Sequence, residues 1–289
     1  MVKKIPLILW LAIGFFLVAY VWSAAPLNSG LKLSPRFDWP DETANYFWSV
    51  HYAQTGTLAL PEPLNLVAGN QIHPRSFNVR PDGALVPGSF LGLILIYGSL
   101  AKIFTTTALV YFTPILGALA ALAFYKIIEL FFNKKIAVVS AILLLGHPAW
   151  WYYAGSSMLP NVAFIAFILF SLGFLLSAPS LKIYQLMLAG FFGGLAISSR
   201  PSEVIWLVVV YAAVLIYQRH KLDWKKTLLF LAVAAITLAP SLWQQQAVYG
   251  SYLTSGYNQL QSGITTTACQ TCAVVQSIIQ PFGFHPNLY

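Results

Sequence analysis

Acidic side chains are scarce in this chain. Eight Asp and Glu stand among 289 residues, against sixteen Lys and Arg, and charged residues make up 8% of the sequence. An ordinary soluble domain carries about 25%. With 58% hydrophobic residues, that shortage excludes a soluble globular enzyme and leaves an all-α integral membrane protein. Cysteine is nearly lacking too. Cys269 and Cys272 form one C-x-x-C, without a second pair or a histidine at zinc-finger spacing, so the expectation is a local disulfide or two idle thiols. No internal repeat or low-complexity tract is present.

Ile5 to Trp22 is an uncharged apolar run of the length a helix needs to cross roughly 30 Å of hydrocarbon. It follows Lys3 and Lys4 and lacks a small-x-small cleavage site before a soluble domain, so it is a retained signal anchor. Further apolar runs lie at 88–104, 108–132, 136–154, 161–178, 183–199, 202–217 and 227–243. The net charge of +8 would suit nucleic acid in a soluble protein. Here the basic residues cluster at the ends of apolar runs, where orientation in the bilayer explains them, and no nucleic-acid partner is expected.

Arg219, His220, Lys221, Lys225 and Lys226 form the strongest basic cluster, and Lys126, Lys134 and Lys135 another. Both belong on the cytoplasmic side by the positive-inside rule. The loop 23–87, the loop at Gly155 to Pro160, the junction at Arg200 and the tail 244–289 then fall on the extracytoplasmic side of one transmembrane domain, 1–289. One count conflicts. With 24–87 outside and Lys134 inside, the runs 88–104 and 108–132 share a single net crossing, so 88–104 is either re-entrant or interfacial, or the rule is broken there.

Five of the eight acidic residues, Asp38, Asp41, Glu42, Glu62 and Asp82, sit in the first outer loop. Pro40 to Gln54 has the pattern of a short amphipathic helix offering Phe47, Trp48, His51 and Tyr52 to the membrane surface, with Gly56 beyond its end. Asp38 as a cap, Pro40 in the first turn, and Asp41 and Glu42 against the helix dipole account for the local pattern. That account does not explain why scarce carboxylates share a loop with Arg75 and Arg80. Guanidinium groups there can hold a lipid phosphate bidentately, bind anionic headgroups without specificity, or pair with Asp82.

Arg200 is a third cation, at the junction Ser198-Ser199-Arg200-Pro201-Ser202-Glu203, where a pair with Glu203 is an equally sufficient role. His147-Pro148 marks a kink inside a span. A carboxylate base, phosphate-holding cations and an outer membrane surface together suit glycosyl transfer from a lipid-phosphate donor, since sugar nucleotides are cytoplasmic. The carboxylate deprotonates an acceptor hydroxyl, and arginines or a divalent cation stabilise the departing phosphate.

These features resemble a GT-C superfamily membrane glycosyltransferase, nearest the protein mannosyltransferase and lipid A aminoarabinose transferase group. The residues that carry the resemblance are an N-terminal span, then Asp38-Trp39-Pro40-Asp41-Glu42-Thr43-Ala44-Asn45-Tyr46, then Arg80-Pro81 before the next apolar run and Arg200-Pro201 after a Gly-rich helix. The resemblance implies a multi-span helical bundle with short interfacial helices in its long first loop. It also implies Asp41 as catalytic base, Glu42 as its support, and Arg80, Arg75 and Arg200 facing the phosphate of a polyprenyl-phosphate sugar. Such enzymes often place a second acidic residue in the next outer loop. Here Asn161 stands there, able to ligate a metal or hydrogen-bond a sugar but not to act as a base.

The expected setting is the plasma membrane, with a protein, lipid or glycan as acceptor and the chain as the N-terminal part of a longer enzyme. A lipid or small-molecule transporter or flippase is the rival, although transporters place ionisable groups near the midplane and show repeat symmetry. A non-catalytic truncated relative is the third alternative.

Overall fold

The computed structural model describes residues 5–24, 37, 39–176, 182–220 and 222–257. Asp38, Lys3, Lys4, Lys221 and the cysteines Cys269 and Cys272 lie outside the described residues.

Helices dominate, as an apolar chain with no water to satisfy its backbone requires. In chain order they are α1 (Leu7–Ala24), α2 (Pro40–Thr55), α3 (Leu64–Val67), α4 (Leu91–Ile103), α5 (Leu109–Phe131), α6 (Lys134–Gly146), α7 (Pro148–Gly155), α8 (Pro160–Leu176), α9 (Ile183–Ser199), α10 (Val204–Tyr217) and α11 (Trp224–Tyr249). Between α3 and α4 lies a hairpin, β1 (Phe77–Val79) antiparallel to β2 (Leu85–Pro87), with Phe77 opposite Pro87. No strand is expected in this stretch from the sequence. Its alternation is too short to show a strand, and its partner is supplied only by the fold.

Two helical stretches, Thr106–Phe131 and Trp224–Tyr249, are long and apolar enough to cross a membrane by themselves. The latter runs past the expected 243 boundary. Two bent pairs also qualify by composition: α6 with α7, broken by 53° at His147-Pro148, and α9 with α10, broken by 114° at Arg200-Pro201. At the first break His147 Nδ1 accepts from the Ala149 amide at 3.2 Å, so the expected kink carries a hydrogen-bonded histidine.

The helices pack in a row: α1 and α6 on α5, α5 on α8, α8 on α9, and α9 on α11. Small residues set the spacing. A Cβ on Gly190 would come within 2.5 Å of the Phe230 carbonyl oxygen, and one on Gly194 within 2.6 Å of that of Ala234. This small-x-x-x-small face lets α9 and α11 meet backbone to backbone, where lipid-solvated helices gain from van der Waals contact rather than from hydrophobic exclusion.

The run 88–104 divides into the end of the hairpin and the 13-residue α4. Helix α4 is too short to cross roughly 30 Å at 1.5 Å per residue. Eight of its residues are buried, and it lies between α2 and α9. Helix α2 differs from the expected surface helix in one respect. Trp48 turns inward and is wholly buried with Phe77, Val86, Leu91 and Ile94, while Phe47 stays partly exposed. The hairpin supplies the apolar surface that was assigned to the membrane.

Candidate active site

Helix α2 begins as the sequence suggests, with Trp39 in extended conformation at the N-cap, Pro40 in the first turn and Asp41 and Glu42 following. No side chain caps it. Asp41 instead reaches another element: its Oδ1 accepts a hydrogen bond from Ser76 Oγ, just before β1. Glu42 is buried, 2% exposed. The two neighbours therefore occupy different surroundings, with Asp41 half-buried and Glu42 buried.

Asn45, one turn further along, fixes how the start of α2 sits against its neighbours. Its side chain is buried; Nδ2 donates to the Met158 carbonyl at 2.9 Å and Oδ1 accepts from Ser89 Oγ at 2.6 Å. One amide thus ties α2 to the loop before α8 and to the segment before α4, with both ends satisfied, as a buried polar group requires. Gly92 completes the assembly. A Cβ there would fall 1.9 Å from the Ser198 carbonyl oxygen, so α4 presses directly on the last turn of α9.

Arg200 follows that turn. Its Nη1 donates to Asn161 Oδ1 at 2.6 Å, at the start of α8, and its Nη2 pairs with Glu203 Oε1 at 2.9 Å. The guanidinium lies 5.8 Å from the Phe164 ring centroid. Its Nε is buried and makes no hydrogen bond to the described protein, a donor left for something else. The pairing with Glu203 considered from spacing is therefore present, together with a partner that spacing did not reveal.

Tyr257 stands between these groups. Burial pushes its phenol up to about 12; the Asp41 carboxylate adds to the rise and the Arg200 guanidinium opposes it. Both charges act on that hydroxyl, so Asp41 and Arg200 lie within electrostatic reach of one residue. Sequence reasoning missed Tyr257, Asn45, Ser76 and Ser89. They are uncharged, and nothing in their local pattern marks them.

Arg80 and Arg75 are placed differently. Arg80 pairs with Asp82 at 2.9 Å across the hairpin turn, and Arg75 is exposed. Asp41, Asn161 and Arg200 are gathered at one end of the helices, while these two cations sit on the hairpin's exposed side. Among the described residues, no three His, Cys, Asp or Glu side chains converge.

The helical membrane body fits a GT-C-type membrane glycosyltransferase, and the family match shows that class. Residues 89–243, more than half of the chain, match the family described as dolichyl-phosphate-mannose-protein mannosyltransferase, and the chain belongs to that family. No individually curated protein matches it. The family match contains Asn161 and Arg200 and begins after Asp41, Ser76 and the hairpin.

Proposed function

We propose that the protein transfers a sugar from a polyprenyl-phosphate donor to an acceptor hydroxyl at the extracytoplasmic face of the plasma membrane. The observation that carries this reading is the family match, supported by Asp41 held by Ser76 and Arg200 held by Asn161. Asp41 takes the proton of the acceptor hydroxyl. The freed oxygen attacks the anomeric carbon, the bond from that carbon to the phosphate oxygen breaks, and the lipid phosphate leaves with its charge held by Arg200.

Asn161 orients the guanidinium and offers its amide to the sugar, while Glu42 supports the first turn of α2. Arg80 and Arg75 meet anionic headgroups or the outer part of the donor. The family's description supports a dolichyl-type, that is polyprenyl, phosphate donor carrying mannose. Sidedness is supported by the basic clusters at the opposite end of the helices. The acceptor is a protein, lipid or glycan hydroxyl.

The test is transfer of radiolabelled sugar from polyprenyl-phosphate mannose in proteoliposomes holding the full chain. Labelled acceptor is expected. Donor that moves between leaflets without loss of its sugar would favour a flippase instead.

A further inference from the structure

Beyond α11 the chain turns back over the hairpin and is tied there at three points. Tyr249 Oη donates to the Pro87 carbonyl at 2.8 Å, and Asn78 Nδ2 donates to the Gly256 carbonyl at 2.6 Å. Gly256 itself lies flush on the backbone, where a Cβ would come within 2.5 Å of Gly88 C and Ser89 N. A residue without a side chain is needed for that approach. The next residue, Tyr257, is therefore placed by main-chain contacts and not by chance packing, and its ring meets Phe90 edge-on with centroids 4.8 Å apart.

The backbone under Gly256 and the ring against Tyr257 both lead to the site. The Gly88 amide donates to the Ser76 carbonyl at 3.0 Å, and the same serine's hydroxyl holds Asp41. Phe90 opens α4, whose Gly92 backs onto Ser198 and Ser199 immediately before Arg200. The Tyr257 hydroxyl makes no hydrogen bond to any described residue. It is a donor at every physiological pH, because burial holds the phenol protonated up to about 12.

We propose that Tyr257 is a donor-phosphate contact: its hydroxyl donates a hydrogen bond to a non-bridging oxygen of the polyprenyl phosphate, beside the Arg200 guanidinium. The assignment rests on the glycosyl-transfer reading. It divides the labour between two uncharged strapping contacts, Asn78 and Gly256, which position the phenol, and the phenol itself, which touches the substrate. A neutral donor next to Arg200 also suits a leaving group whose charge grows during transfer, because it stabilises the anion without repelling the cation.

The test uses the full chain in detergent and two sugar-free probes, a polyprenyl monophosphate and the matching polyprenol, each titrated by tryptophan fluorescence. Wild type is expected to bind the phosphate more tightly than the alcohol. Tyr257→Phe keeps the ring on Phe90 and is expected to weaken phosphate binding about ten- to hundredfold, the loss of one hydrogen bond to a charged group, with polyprenol binding unchanged. Gly256→Ala, which lifts the strap, is expected to show the same selective loss. Equal phosphate affinity in wild type and Tyr257→Phe would overturn the assignment. So would an equal loss for both probes, which marks a structural role. A wild type that does not distinguish phosphate from alcohol sinks the glycosyl-transfer reading itself, and that failure is visible without any variant.

Discussion

At the end of the bundle where α5 and α10 finish and α6 and α11 begin, charge is plentiful, exposed and local. Lys134, Lys135, Arg219 and Lys225 are exposed, Lys126 pairs with Glu129 three residues on at 3.2 Å, and Asp223 caps the Lys226 amide at 2.8 Å. Contacts between Phe131 and Tyr217, and from Gln218 Nε2 to the Leu175 carbonyl, confirm that these helix ends lie together. At the other end two charges are half-buried and engaged across the chain: Asp41 with Ser76 35 positions away, Arg200 with Asn161 39 positions away. Local pairs between exposed groups contribute little to stability and suit charges whose work is orientation. Side chains drawn from distant segments to one point are costly to order, and such ordering is what a chemical site needs.

If the two ends differ in this way, substitutions should separate them. The largest effect among the cations is expected at Arg200. Arg200→Gln should lower kcat/KM for transfer about 10²- to 10³-fold, the usual cost of removing one donor from a developing anion. A loss under twofold would place Arg200 with the orienting charges. Next comes the contact that joins α4 to α9. Gly92→Ala puts a methyl against the Ser198 carbonyl and is expected to cost about 1–3 kcal/mol, read as a lowered thermal midpoint in detergent. An unchanged midpoint would mean that α4 is not pressed on α9 as described. Smallest is the basic end, where Lys225→Gln with Lys226→Gln should leave the turnover of purified, reconstituted protein within about twofold.

The helical framework was legible in the sequence because apolar runs of spanning length have a direct physical meaning, and α2 was legible to within a residue from its Pro40 start and Gly56 end. The kink at His147-Pro148 was equally plain, since proline removes a backbone donor. Asp41 and Arg200 were singled out by scarcity, since in an apolar chain a charge at a boundary stands out, and Asn161 by its place in the resemblance. Arg80 stood out by the same signal, and its pair with Asp82 is the alternative that their closeness in sequence offers. The hairpin was missed for want of length. Trp48 was misplaced because an apolar helix face looks alike whether lipid or protein covers it. Tyr257 and Asn45 could not be found at all without the fold, since their roles arise from contacts with residues far off in sequence.

The account stands most directly on Asp41, and one substitution reaches it. Asp41→Asn keeps the size of the side chain and a carbonyl oxygen to accept from Ser76, and removes only the ability to take a proton. Single-turnover transfer from polyprenyl-phosphate mannose in proteoliposomes is expected to fall about 10²- to 10⁴-fold, with binding of the donor nearly unchanged. Transfer at the wild-type rate would remove the base, and with it the claim that the end of this molecule holding Asp41 and Arg200 is where its chemistry is done.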